Sequence, residues 1–355
     1  LRSEDRLIGL QYLRGIVASI VVLHHLRFPD TQLGPFGVKI FFVISGFVMW
    51  YTTSMADLAP IAFWRQRIIR IVPLYWLFLL LLIVAGLACS TCVKTTELTA
   101  QNVPLSFLFI PHFHQIQKGL IAPILIPGWS LNYEMFFYFV FGSALFIKSN
   151  ASRVLAIAVL FWSLVLLGRW LDPSSAILST YTNPSLLLFL NGLLLAMVYQ
   201  TYEVDGAGLG VTLASVSILS QTLMVLQGGI ESFLGVAAVL IVAGTLALES
   251  TLRRAPSNLL LGIGAASYSI YLSHLFFLRV FEICWSRVAQ HDGGGIVETA
   301  SIVLAFVFAI VGGVAVHHLI ERPMVRQIRQ RWWDESERGN NLSIVCPAGR
   351  RRKVV

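Results

Sequence analysis

The chain has 355 residues, of which 56% are hydrophobic and only 12% charged, and its mean hydropathy is +0.75. A water-soluble domain carries about twice that share of charge, so the composition excludes a soluble enzyme and indicates a polytopic membrane protein. The formal charge of +8 does not point to nucleic acid, because much of it lies in the tail from Arg322 and in RQRIIR (65–70), where membrane anchoring uses it.

Ten apolar segments come close to the ~20 residues that a helix needs to cross a bilayer: 8–26, 36–54, 71–89, 128–147, 154–171, 185–201, 207–226, 231–249, 260–282 and 297–319. The expected fold is all-α, a bundle of about ten transmembrane helices over 1–325, with a basic cytoplasmic tail at 326–355 that has no fixed structure. The first segment lacks a cleavage pattern and is read as retained. Most cations fall on one side if both termini are cytoplasmic, which places the long 90–127 connection outside.

The first span carries Arg14 and His25, ionisable groups that are costly in hydrocarbon and mark function when a chain keeps them. Eleven steps of ~100° bring them within about 20° of one helix face, ~16 Å apart along the axis, while His24 falls about 80° aside. An arginine that merely snorkels is the plainer reading of Arg14. In the second span, GVKIFFVISGF, the small residues Gly37, Ser45 and Gly46 suit close helix packing, and Lys39 is placed to snorkel.

The third span opens with arginines. Arg67 and Arg70 share a face and Arg65 does not, so the pair fits either a phosphate site or an anchor belt. Pro73 is expected to bend that helix or to mark its first turn. Cys89 and Cys92 form a CxxC, but Cys284 and Cys346 are far off in sequence and no zinc pattern results. Within the 90–127 connection, LSFLFIP and LIAPILIP are too short to span and are read as dipping into the membrane surface or roofing a cavity.

In the fourth span Ser130, Glu134 and Tyr138 are stacked a turn apart, and Glu134 lies deep enough to need a partner, with His25 as the functional choice. In the ninth, Tyr268, Tyr271 and His274 make a polar stripe that suits a cavity wall. The tenth ends HHLIERP, with Glu321 and Arg322 at the boundary and Pro323 stopping the helix.

Jointly, the Arg14–His25 spacing, GVKIFFVISGF, RIIRIVPLYW, GWSLNYEMFF and SYSIYLSH resemble the acyltransferase-3 family of integral membrane acyltransferases over about residues 7–325. Within that family VISGFVMWYTT, IVPLYW and PGWSLNYEMFFY are most similar to exopolysaccharide acetyltransferases of the ExoZ-like group. Lys39 departs from the pattern, since many members carry an acidic residue there.

The resemblance implies a multi-pass enzyme of the bacterial inner membrane. It would transfer an acetyl or similar short acyl group from acyl-CoA to a hydroxyl of an exopolysaccharide or its lipid-linked precursor. The implied partners are acyl-CoA, the carbohydrate acceptor and membrane lipid, with no nucleic acid, no metal and no bound cofactor beyond the donor acetyl-CoA. The residues that fit these roles are His25 and Glu134 for catalysis, Arg14, Arg67 and Arg70 for the donor, and Ser130, Tyr268, Tyr271 and His274 as lining. His25 would serve either as base or as acyl carrier. A flippase for a lipid-linked sugar and a non-catalytic scaffold of polysaccharide assembly are the readings from other classes.

Overall fold

A computed structural model describes residues 7–56, 58–88, 98–201, 230–288 and 295–343. Its helices are α1 (Ile8–Arg27), α2 (Leu33–Ala56), α3 (Pro60–Ala88), α4 (Asn102–Phe107), α5 (Trp129–Ala144), α6 (Asn150–Leu171), α7 (Ala176–Tyr181), α8 (Leu186–Thr201), α9 (Ile230–Ala247), α10 (Glu249–Leu252), α11 (Asn258–Ala265), α12 (Ser267–Val288), α13 (Gly295–Val316) and α14 (Arg322–Ser343). A 3₁₀ turn occupies Ile126–Gly128 and a π turn His317–Glu321. Among the described residues, extended pairing is limited to an isolated bridge between Phe113 and Ile121. Among the described residues seven helices are long and apolar enough to cross a membrane, and eight if the bent pair α11–α12 counts as one span. The expected all-α membrane bundle is therefore observed. Of the other two expected spans, α5 has 16 residues, short of that length, and 207–226 lies outside the described residues, as do Cys89, Cys92 and Cys346.

Three boundaries differ from the expectation. The third span begins at Pro60 and runs unbroken through Pro73, because a membrane helix re-satisfies the carbonyl that proline frees through neighbouring groups. The ninth span is broken, with α11 and α12 meeting at 72°. Its glycines explain the break: Gly264 lies so close to α1 that an added Cβ would sit 2.0 Å from the Gln11 carbonyl oxygen. The helix also does not stop at Pro323. The π turn shifts the hydrogen-bond register just before it, and α14 continues to Ser343, with Pro323 at an early helical position where its missing N–H costs little. The segment 326–343, expected without structure, is thus helical. Arg65 ties it to α3, donating to the Trp332 carbonyl at 3.2 Å with its guanidinium 4.9 Å from that indole ring.

Close packing sets the directions of the helices. An added Cβ on Gly46 would lie 2.0 Å from the Phe189 carbonyl oxygen, and one on Gly192 2.0 Å from that of Val43, so α2 and α8 are in backbone contact. Phe42 stacks on Phe189 and meets Trp129 edge-on; with these contacts α2, α5 and α8 run the same way. Trp64 against Gly142 and Gly128 against Tyr75 make α3 antiparallel to α5. Arg14 beside Ser267 and His25 beside His274 make α12 parallel to α1. The bundle therefore has an arginine end, where α1 and α3 begin, and a histidine end, where α1 finishes and α2, α5 and α8 begin.

Two polar anchors hold this frame. The amides of Ile8 and Gly9, which open α1, donate to the Glu249 carboxylate at 2.8 and 2.7 Å, a charge suited to a helix N-terminus. The 98–128 connection is pinned on α3 by Tyr75, whose hydroxyl donates to the Ser106 carbonyl at 2.9 Å. The Ile124 amide donates to the Ser106 hydroxyl at 3.0 Å, and the segment brings Pro127 onto the Tyr271 hydroxyl. It roofs the bundle interior.

Two outcomes test this packing. Gly46→Leu forces side chain into the α8 backbone and should lower the thermal midpoint in detergent, overpacking costing about 1–3 kcal/mol. Gly262→Ala, with nothing within 4 Å, should leave it unchanged or slightly higher. The roof also carries a pH dependence. His114 is buried, its Nδ1 accepts the Gln117 amide at 3.2 Å, and burial, followed by the nearby His112, holds its pKa below the usual imidazole value. The unfolded chain then binds the proton more readily, so stability should fall as pH drops below about 6.5. His114→Gln should flatten that fall.

Candidate active site

A cavity of about 100 Å³ lies between α1, α2, α3, α5 and α12. At the arginine end it is lined by Arg14, Arg67, Arg70 and Tyr268, in the middle by Ser45, Glu134 and Tyr138, and toward the histidine end by Ser130 and Tyr271. Spans far apart in sequence thus supply one lining, and the three arginines proposed for the donor share it. Three guanidiniums face a single carboxylate there, an excess of positive charge that attracts an anion.

Several of these side chains are held by named contacts. Arg14 donates to the Ser267 hydroxyl at 3.0 Å. Arg67 is only 8% exposed, lies 5.5 Å from the Phe63 ring and 5.9 Å from the Tyr138 ring, and its Nε has no hydrogen-bond partner among the described residues. A buried N–H without an acceptor is costly and suits a ligand that supplies one. Tyr268 donates to the Ile71 carbonyl at 2.8 Å, fastening α12 to α3. Arg65 points elsewhere, to Trp332. Beside the arginine end, Glu321 accepts from Ser269 at 2.6 Å and pairs with His317 at 2.7 Å, within electrostatic reach of Arg14 and Arg70.

Glu134 does not orient His25. Its Oε1 accepts from the hydroxyls of Ser45, at 3.2 Å, and Tyr138. The reason is local: Tyr138 is its own i+4 neighbour, and α2 presents Ser45 to the same face. The partner of His25 is His274, with Nε2 3.3 Å from His25 Nδ1. Neither histidine lines the cavity; His274 reaches its wall through Tyr271, whose carbonyl oxygen is 2.7 Å from His274 Nδ1.

Carbonyl oxygens assign the tautomers, because they only accept. His274 Nδ1 carries the proton given to Tyr271, so its Nε2 is a lone pair. His25 Nδ1, 3.0 Å from the Val21 carbonyl oxygen, carries its own proton and shares it between that oxygen and His274. His25 Nε2 is left bare on an exposed ring at the histidine end. His24, on the adjoining face, is 8% exposed and lies against Gly34 of α2.

Sequence reasoning read Ser45 as a packing residue and passed over Ser267. The signal for Ser267 was present, since Ser267, Tyr271 and His274 repeat at i, i+4 and i+7 on one face of α12. Lys39 does not snorkel; it is buried and paired with Glu231 at 2.8 Å.

Residues 7–318 match the model of the acyltransferase-3 family, described as an acyltransferase domain. The chain belongs to the acyltransferase-3 family. The family relation extends to the exopolysaccharide production protein ExoZ of Rhizobium meliloti (strain 1021), 34% identical over 301 residues, which cover 84% of this chain and 92% of that protein. It also extends to the acyltransferase MdmB of Streptomyces mycarofaciens, 24% identical over 337 residues, 85% of this chain and 83% of that protein. No solved structure matches. Membership makes this multi-pass membrane protein an acyltransferase.

The cavity charge predicts anion binding. Inorganic pyrophosphate at low ionic strength should raise the thermal midpoint of the detergent-purified protein by ~3 °C, as any ligand of the folded state does. The rise should shrink in high salt and disappear in Arg67→Met.

Proposed function

We propose that the protein takes an acetyl or similar short acyl group from acyl-CoA and places it on a hydroxyl of an exopolysaccharide or its lipid-linked precursor. It would do so in the bacterial cytoplasmic membrane, with both termini and the arginine end facing the cytoplasm. The single observation that carries this reading is the shared lining of Arg14, Arg67 and Arg70, with the Arg67 Nε lacking an acceptor. Coenzyme A is a cytoplasmic polyanion, and arginine forks bind its phosphates. A cavity of about 100 Å³ is too small for a nucleotide, so the phosphates stay at the arginine mouth and the acyl arm extends inward. The relative named for exopolysaccharide production supports a glycan acceptor.

His25 Nε2 accepts the proton of the acceptor hydroxyl as that oxygen attacks the thioester carbonyl. The carbon–sulfur bond then breaks, and the proton passes to the departing thiolate. In the covalent variant His25 Nε2 attacks the thioester carbonyl and the carbon–sulfur bond breaks to release the thiolate; the acceptor oxygen then takes the acyl group as the carbon–nitrogen bond breaks, and its proton passes to the thiolate. Both need the bare Nε2, which the Val21 carbonyl and His274 together favour by holding the proton on Nδ1. His274 is therefore a positioning residue, in the role first expected of Glu134, and Glu134 offsets the charge of the arginines.

Acetyl transfer from labelled acetyl-CoA by membranes with equal amounts of each variant tests the reading. His25→Ala should lose about 10²–10⁴ in rate, and His24→Ala should stay within a few-fold of wild type. His274→Ala should lower kcat by about 10–100-fold at unchanged donor KM. His274→Gln, whose carbonyl still accepts from His25, should recover part of it. Near-normal turnover in His25→Ala would overturn the mechanism, and no transfer by the wild type would favour a flippase or scaffold. Cysteine labelling of the 98–127 segment from the cytoplasm alone would overturn the orientation.

A further inference from the structure

A second cavity, of about 560 Å³, opens at the histidine end among α2, α6, α7, α8 and α9. That volume lies in the range of small-molecule sites. Its wall carries Lys39, Arg169, Asp172 and Glu231, with Ser179 and Asn183 between them. Lys39 is buried and held 2.8 Å from the Glu231 carboxylate, whose side chain is 60% exposed. Asp172 ends α6 in the left-handed region at φ 42°, a conformation that Asp and Asn tolerate. Two cations and two carboxylates on the wall cancel, so a phosphate gains little net attraction. A neutral polyol gains more, because its hydroxyls donate to the carboxylates and accept from the cations in charge-assisted hydrogen bonds.

We propose that this cavity is an acceptor subsite that holds a neutral sugar unit of the glycan near the unit acylated at His25. The proposal rests on the acyltransfer reading above. The placement supports it: Gly34 and Gly37 turn one side of α2 to α1, while Lys39 lines the cavity. At the histidine end α2 therefore stands between α1 and this cavity, and linked sugars of one glycan would reach from one to the other. It also gives a task to Lys39, the residue that departs from the family pattern.

The probe is an oligosaccharide prepared by de-O-acetylating the exopolysaccharide of the bacterium that encodes the chain, titrated calorimetrically into the purified full-length protein. Asp172→Asn, which keeps the backbone conformation, and Lys39→Met should each weaken binding about tenfold. In acetyl transfer they should raise acceptor KM to the same degree, with donor KM and kcat unchanged. Inorganic phosphate should not compete. Wild-type affinity and acceptor KM in Asp172→Asn would overturn the subsite, as would competition by phosphate or no binding by the wild type. A wild type that binds the oligosaccharide through Asp172 yet transfers no acetyl keeps the subsite and overturns the reaction.

Discussion

An ionised side chain inside hydrocarbon needs a partner, an acceptor or water, and a single helix facing lipid supplies none of these. The architecture follows from that constraint. Arg14, Arg67, Arg70 and Glu134 come from three helices, and each would be costly if turned outward. One cavity collects them, with the Ser267 hydroxyl bonded to Arg14, those of Ser45 and Tyr138 bonded to Glu134, and the Arg67 Nε left without an acceptor. The glycine contact of α2 with α8 seals one side of this arrangement by bringing backbone to backbone.

Along the bundle axis the basic groups are sorted. Guanidiniums collect where α1 and α3 begin, and the imidazoles sit where α1 ends. The two histidines are not redundant. His274 is fully buried and its proton is committed to a backbone carbonyl, so its other nitrogen accepts from His25 Nδ1 alongside the Val21 carbonyl, which leaves Nε2 as the bare nitrogen of His25.

Backbone irregularity concentrates next to these groups. The break between α11 and α12 falls one residue before Ser267, the hydroxyl that receives Arg14. The π turn at His317–Glu321 places His317 and Ser269 around Glu321, beside Arg14 and Arg70. Non-helical geometry at membrane depth is tolerated where protein covers it, and here it aims side chains that an uninterrupted helix would carry past one another.

The sequence by itself determined the membrane class, the helical fold, the alignment of Arg14 with His25, the split of Arg67 and Arg70 from Arg65, and the polar stripe on the ninth span. These depend on composition and on the 3.6-residue period, which are local properties. The partners of those side chains depended on which helices meet and at what height, and only the tertiary structure decided that. Glu134 was assigned to His25 because both were deep and polar. The packing instead gave it Ser45 and Tyr138, and gave His25 the imidazole of His274, 249 residues away along the chain. Lys39 looked like a snorkelling cation until α9 brought Glu231 beside it. Periodicity tells which residues share a face of one helix; pairing between helices rests on loop connections and glycine contacts that carry no periodic signal.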